Sequence, residues 1–373
     1  MIIFYYPTKD ATVYSGSTPG KLESTDVTTL NTGLDEILEV DKWLADDGAI
    51  PLIDRLSFSR AFLQFDYTSL SSSIVDGTIT NPTYSLKLFS TDTSTEIPLS
   101  YELNAFPLSQ SWEMGIGKKD LNPIETQGCT WQWRDVSGSN YWDSSGGDII
   151  ISKEISAEVV SFKSTQQIEY NRNDINMDVT TTVERQLDGS IPNHGFVIKH
   201  LDANETSSVR QYGSSKFFSR DTHTIYVPRL EVGFDDSSFD TGSLSALDVS
   251  DGDISIYMKG VNSEYKQDSI ERFKVYGRRR IVSSSFSTTS NYLNVEYLPS
   301  SSYYSIKDLK TNEDVIPFND DHTKISCDSN GNYFNFRMST LQQERMYKIL
   351  YKIVSGSNVH IFDDNQFTFK VVK

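Results

Sequence analysis

Cysteine is scarce in this chain, with 2 among 373 residues. Cys129 and Cys327 lie far apart and fit neither a disulfide framework nor a metal-ligand spacing, so free, buried or half-buried thiols are expected. Histidine is nearly as rare, with 5, which leaves few groups that titrate near neutrality. Long apolar runs and leucine-rich helical patterns are missing. The opening Met1-Ile2-Ile3-Phe4-Tyr5-Tyr6 has no basic flank and stops at Pro7, so neither a signal peptide nor a membrane anchor is expected. The Asn204-Glu205-Thr206 sequon is then an accident of sequence. Positive charge is in deficit: 34 Lys and Arg face 51 Asp and Glu, a formal net charge of −17. Such a surface repels a phosphate backbone, which argues against direct nucleic-acid binding.

What the chain has is aromatic residues and alternation. Aromatics reach 12%, mostly 20 Tyr and 20 Phe, and this balance favours strands. The length suits two domains. Thr83–Leu88 sets Tyr84, Leu86 and Leu88 against Ser85 and Lys87, the period of a half-buried strand. Leu34, Ile37 and Leu38 fit a helix, yet Ile37-Leu38-Glu39-Val40 also fits a short strand, and the strand is the preferred reading. In the last third, Phe273 and Val275 flank Lys274; Tyr347, Ile349, Tyr351 and Ile353 share one face, and so do Phe367, Phe369 and Val371. Asp328-Ser329-Asn330-Gly331 reads as a hairpin tip, and Asp363-Asp364-Asn365 as a short turn before the final strand. Between 235 and 253 the chain turns acidic and small, without apolar periodicity. The expected organisation is therefore a domain over 1–237, an acidic linker over 238–255, and an immunoglobulin-like β-sandwich over 256–373.

No constellation for chemistry stands out. His194, His200, His223, His322 and His360 lack the context of a catalytic base, and each reads as a structural hydrogen-bonding residue. The carboxylates are too many for sequence to select a glycosidase pair. Asp248-Val249-Ser250-Asp251-Gly252-Asp253 and Asp320-Asp321 depart from a calcium loop and read as acidic turns. Gly115-Ile116-Gly117 lacks the third glycine of a nucleotide loop and reads as a turn. No catalytic residue, metal or cofactor is assigned. The candidates for interaction are Trp112, Trp131, Trp133 and Trp142, in a long aperiodic segment from 112 to 147, and the basic run Arg278-Arg279-Arg280. On a strand Trp131 and Trp133 would share a face, where rings stack on sugars or fill a protein pocket. The plainer alternative is a local core that holds the segment down. For the arginines it is a solvated strand end.

The stretch 177–199 carries the most information. Asp178 can cap a short helix, Val179, Val183 and Leu187 fall on one face of it, and Gly189 can close it. Pro192-Asn193-His194-Gly195 then turns the chain into the apolar strand Phe196-Val197-Ile198. This arrangement resembles the DNRLRE-type domain, a β-sandwich with one short helix. Ser59-Arg60-Ala61-Phe62-Leu63-Gln64-Phe65-Asp66 is similar to that family's early strand, and Tyr226-Val227-Pro228-Arg229-Leu230-Glu231-Val232 to its closing strand. The opening residues 1–14, the segment 216–226 and the closing strand 361–372 are in turn similar to virion structural proteins of contractile-tailed phages of marine bacteria. The resemblance implies a non-enzymatic structural component of a virion, at neck, tail or baseplate, made in the host cytoplasm. It would act in multiple symmetric copies against other virion structural proteins. A carbohydrate-binding module is the alternative, and a glycan hydrolase stands behind both.

Overall fold

The computed structural model describes residues 1–16, 27–44, 56–92, 97–169, 174–250, 253–281, 295–364 and 367–373. The fold is mainly β, with several sheets. It divides into two compact units, one made of Tyr5–Val75 and Thr83–Glu231, the other of Met1–Phe4, Asp76–Pro82 and Val232–Lys373. The division therefore falls at 232, and two earlier pieces of chain join the second unit.

In the first unit a large sheet runs in the order Ser164–Glu169, Ser100–Pro107, Phe196–Lys199, Leu56–Phe65, Ile37–Leu44, Gly213–Phe218, and Pro7–Tyr14 also pairs with Leu56–Phe65. A smaller sheet places Thr83–Leu88 between Arg229–Gly233 and Ile175–Asp178. Leu56–Phe65 is buried on both of its faces: Ala61, Leu63 and Phe65 as well as Phe62 are shut off from solvent. A strand of that kind needs a cover on each side. On the Phe62 side the cover is the long aperiodic segment, whose Trp112, Cys129 and Trp142 join Ala11, Val13, Phe62, Phe106, Leu108 and Val197 in one cluster.

The helix runs Thr180–Leu187 with Val179, not the expected Asp178, at its N-cap; the Asp178 carboxylate accepts the Thr180 N–H at 2.9 Å from two residues ahead of the helix. Val179 and Val183 are buried and Leu187 is half-buried. Gly189 has φ +78° and ends it. The turn that follows is tied to the central strand: the Asn193 side chain donates to the Phe65 carbonyl at 2.9 Å, and Gln64 donates to the Asn193 carbonyl at 3.1 Å. Gly195 sits at φ +89°, and a Cβ there would come within 2.1 Å of the Leu63 carbonyl oxygen, so the position takes glycine alone. A second helix, Thr68–Val75, has no counterpart in the sequence reading, because its serine-rich run shows little apolar periodicity. Asp66 accepts the Thr68 N–H at 2.9 Å at its start, and Leu70 is its buried residue.

The second unit has a four-stranded sheet, in the order Ile254–Lys259, Ile270–Arg279, Gly331–Arg337, Ser326–Asp328. Its partner sheet runs Glu264–Lys266, Thr368–Val372, Arg345–Ser355, Ser302–Asp308, Asp314–Ile316, with Asn358–Phe362 also on Arg345–Ser355. Tyr347, Ile349, Tyr351 and Ile353 are buried together with Phe367, Phe369 and Val371, as their alternation requires. The hairpin tip is Ser329-Asn330: Asp328 pairs with Gly331, so the glycine opens the return strand at φ +121° and does not lie in the turn.

The acidic segment is not a free linker. Leu247, Val249 and Ile254 are buried in the core of the second unit, and Ser245–Ala246 pairs in parallel with Glu296–Tyr297. A Cβ on Gly277 would lie 2.5 Å from a Leu247 methyl and 2.8 Å from one of Leu298, so this glycine makes the room that seats them. Single apolar side chains two residues apart give too short a pattern to be seen in the sequence. Asp251, Gly252 and Asn365 lie outside the described residues.

Candidate functional site

Trp112 and Trp142 serve as cover, and Trp131 and Trp133 are half-buried. Trp112 is buried and its indole N–H donates to the His194 carbonyl at 2.9 Å. Trp142 is buried and donates to the Thr130 carbonyl at 3.1 Å. Both rings meet Phe62 edge-on, at 5.6 Å between centroids. Trp131 packs edge-on against Phe58 at 5.2 Å and lies under the Arg60 guanidinium at 5.0 Å. Trp133, in the short strand Trp133–Asp135, stacks on Tyr141 at 3.5 Å. Trp131 and Trp133 thus have different partners and form no common platform. Sequence alone cannot distinguish a displayed ring from a covering one, because the deciding partners, Phe58, Arg60 and Phe62, lie some seventy residues upstream.

The segment is organised around Asn31. This fully buried side chain donates to the carbonyls of Met114 at 2.7 Å and Cys129 at 3.0 Å, and accepts the N–H groups of Gly33 at 3.2 Å and Gly117 at 2.9 Å. A Cβ at Gly115, Gly117 or Gly128 would run into Asn31. The Gly115-Ile116-Gly117 turn is thus a packing device. Cys129 beside it is a free buried thiol whose pKa burial pushes far up, and burial raises Cys327 to about 11.

A cleft of about 280 Å³ opens next to this segment, with Tyr14, Asp35, Glu36, Glu39, Lys119 and Lys216 among its walls. Glu39 stands at its centre. It accepts the Tyr14 hydroxyl at 2.7 Å and lies 2.6 Å from both Lys119 and Lys216. Burial opposes its ionisation, but the two ammonium groups outweigh that and hold its carboxyl below the usual range. Burial raises Asp35 to about 6. Burial also raises Asp41, and the Glu39 carboxylate adds to it. Separated carboxyl acidities are what acid–base catalysis uses. Here, however, three donors saturate Glu39, and they come from Pro7–Tyr14, Gly213–Phe218 and the long segment. The cluster clamps that segment to the sheet.

The histidines are dispersed. His200 is buried between Tyr101 and Tyr212, with ring centroids at 6.0 and 4.8 Å, and burial lowers it to about 4, so it is neutral. His223 is exposed, 3.7 Å from Glu36. Burial lowers His194 and His322 as well. Among the described residues no group of three or more His, Cys, Asp or Glu could hold a metal ion, and no helix is long and apolar enough to cross a membrane.

The arginine run ends the strand Ile270–Arg279 and is exposed. Its members differ in what they meet: Arg279 pairs with Asp248, Arg278 lies 5.8 Å over the Tyr257 ring, and the Arg280 N–H bonds the Asp253 carbonyl at 3.0 Å. The cations around it were not singled out in sequence. Lys259, Arg272 and Lys274 are exposed on the same four-stranded sheet, and only strand register brings them together.

No protein-family model matches the chain, and none of the curated proteins matches it.

Proposed function

We propose that this chain is a non-enzymatic structural component of a contractile-tailed phage virion, at neck, tail or baseplate, working by assembly in several copies. In this reading the first unit is a DNRLRE-like β-sandwich and the second an immunoglobulin-like one. The resembling segments support it by their placement. Ser59–Phe65 and Phe196–Ile198 lie in hydrogen-bonded neighbouring strands, with the helix and the Asn193 turn leading into the second of them.

One observation carries the assembly role. The hairpin Ser152–Ile155 with Glu158–Ser161 forms a two-stranded sheet of its own and is exposed along most of its length. Val159 is 71% exposed, with Ile151 exposed at its base, and the Lys153 ammonium ties one side to the Ser190 carbonyl at 2.6 Å. A two-stranded ribbon is marginal in water unless something packs on it. Its apolar side chains suit contact with a neighbouring subunit. In the assembled particle such an arm would be covered.

A mass-spectrometric inventory of a purified particle, with copy number, tests this. A chain present in a multiple of the particle's symmetry is the expected result. A particle without the chain would overturn the proposal.

A further inference from the structure

On the four-stranded sheet of the second unit, the strand Ile270–Arg279 buries Phe273, Val275 and Gly277 and turns Arg272, Lys274, Tyr276 and Arg278 outward. Register completes the face. Tyr257 lies opposite Tyr276, Lys259 opposite Lys274, and Tyr333 opposite Lys274 on the other side. The Tyr257 and Tyr276 rings stack at 5.4 Å, Lys259 lies 4.8 Å over Tyr276, and Arg272 lies 4.0 Å over Tyr333. A chain of net charge −17 thus carries a face of cations set among phenol rings.

Lys259 and Lys274 are the informative pair. They are exposed, directly opposite each other and of like charge, and neither has an ion-pair partner among the described residues. Like charges facing across a ladder cost stability. The acid nearby is Asp328, 3.6 Å from Arg272 and in the wall of a notch of about 70 Å³ between Tyr276 and Tyr333. Gly331 floors that notch, and a Cβ there would lie 3.3 Å from the Tyr276 ring. An anionic group set between the two lysines would remove their repulsion.

We propose that this face binds an anionic polysaccharide, with Lys259 and Lys274 taking its acid groups and the Tyr276–Tyr333 notch receiving a sugar substituent. Lysine is depleted from the cores of protein–protein interfaces, and here Lys274 stands on an inner strand of the face with Lys259 beside it at the edge. Nucleic acid needs open ring faces for its bases, whereas these rings are taken up by one another and by Lys259 and Arg272. An acidic sugar polymer needs no open ring face and presents acid groups that a pair of ammonium groups can take. The proposal is independent of the assembly reading.

The purified full chain is titrated with heparin, polygalacturonate and alginate, beside neutral dextran and single-stranded DNA. At least one acidic polysaccharide binds ten times or more tighter than dextran and DNA, and added salt weakens it. Lys274→Glu lowers that affinity at least tenfold while raising the melting temperature by about 1–3 °C, since the new carboxylate faces Lys259. A merely structural lysine would not give opposite signs in the two readouts. Arg279→Ala, whose guanidinium pairs with Asp248, keeps the affinity. The proposal is overturned if none of the three acidic polymers binds, if DNA binds equally well, or if Lys274→Glu leaves the affinity unchanged. It is also overturned if that variant instead abolishes self-association of the chain, which would give the face to a second copy. None of these results bears on the particle inventory.

Discussion

Arg60 and Glu205 form a buried, two-pronged ion pair, with Nε to Oε1 at 3.1 Å and Nη2 to Oε2 at 2.7 Å. Lys199 approaches the same carboxylate at 3.1 Å, and the Arg60 guanidinium also donates to the Gly146 carbonyl at 2.9 Å and covers Trp131. One carboxylate on a short helix, Asp202–Glu205, thus holds two cations, and one of these holds the long tryptophan segment.

Glu205→Gln should leave Arg60 buried with no full counter-charge, while Lys199 keeps its pair with Asp202. Breaking one side of a buried pair costs about 3–5 kcal/mol. Urea denaturation measures it, and a loss below about 1 kcal/mol would show that water reaches the pair.

Asn31→Ala removes two donors and two acceptor contacts from backbone groups, three of them in buried hydrogen bonds. The loss should be about 3 kcal/mol or more, at the upper end for orphaned buried polar groups. Gly115→Ala should act on the same side chain, since its Cβ would lie 2.3 Å from Asn31 Oδ1. A double-mutant cycle checks this: the two losses should fall well short of adding.

Val183→Asp places a carboxylate where solvent does not reach. Burying an unpaired charge costs several kcal/mol, about 3 or more. An unchanged melting temperature would mean that the helix face is open.

Asp10 should give a pH signature. Burial raises its carboxyl to about 7, although the Arg220 N–H bonds it at 2.6 Å and favours its charge. In the unfolded chain it titrates near 4. The folded state therefore holds the extra proton between about pH 4 and 7, so this group's contribution is complete below pH 4 and is lost as pH rises to 7. Asp10→Asn removes that loss. Relative to the parent, the variant should gain about 1–3 kcal/mol between pH 4.5 and pH 8. Parallel stability curves for the two proteins over that range would contradict the assignment.

The readings from sequence succeeded where a local pattern has a local cause. Tyr84, Leu86 and Leu88 are buried because period-two alternation puts them on one face of a strand, and the same holds for Tyr347 to Ile353. Gly189 marks the end of the helix by capping chemistry local to it, whereas the expected Asp178 cap falls one position short, because Val179 stands at the N-cap. Period and capping say which residues share a face and where an element stops. They do not say what covers that face. Trp131 could be displayed or packed until Phe58 and Arg60 came to lie against it. The acidic segment around 247 looked like a connector until Gly277 opened a seat for Leu247. Lys259 and Lys274 became a pair only through the register of two strands. Each of these depends on side chains distant in sequence, and tertiary packing alone decides which distant residues become neighbours.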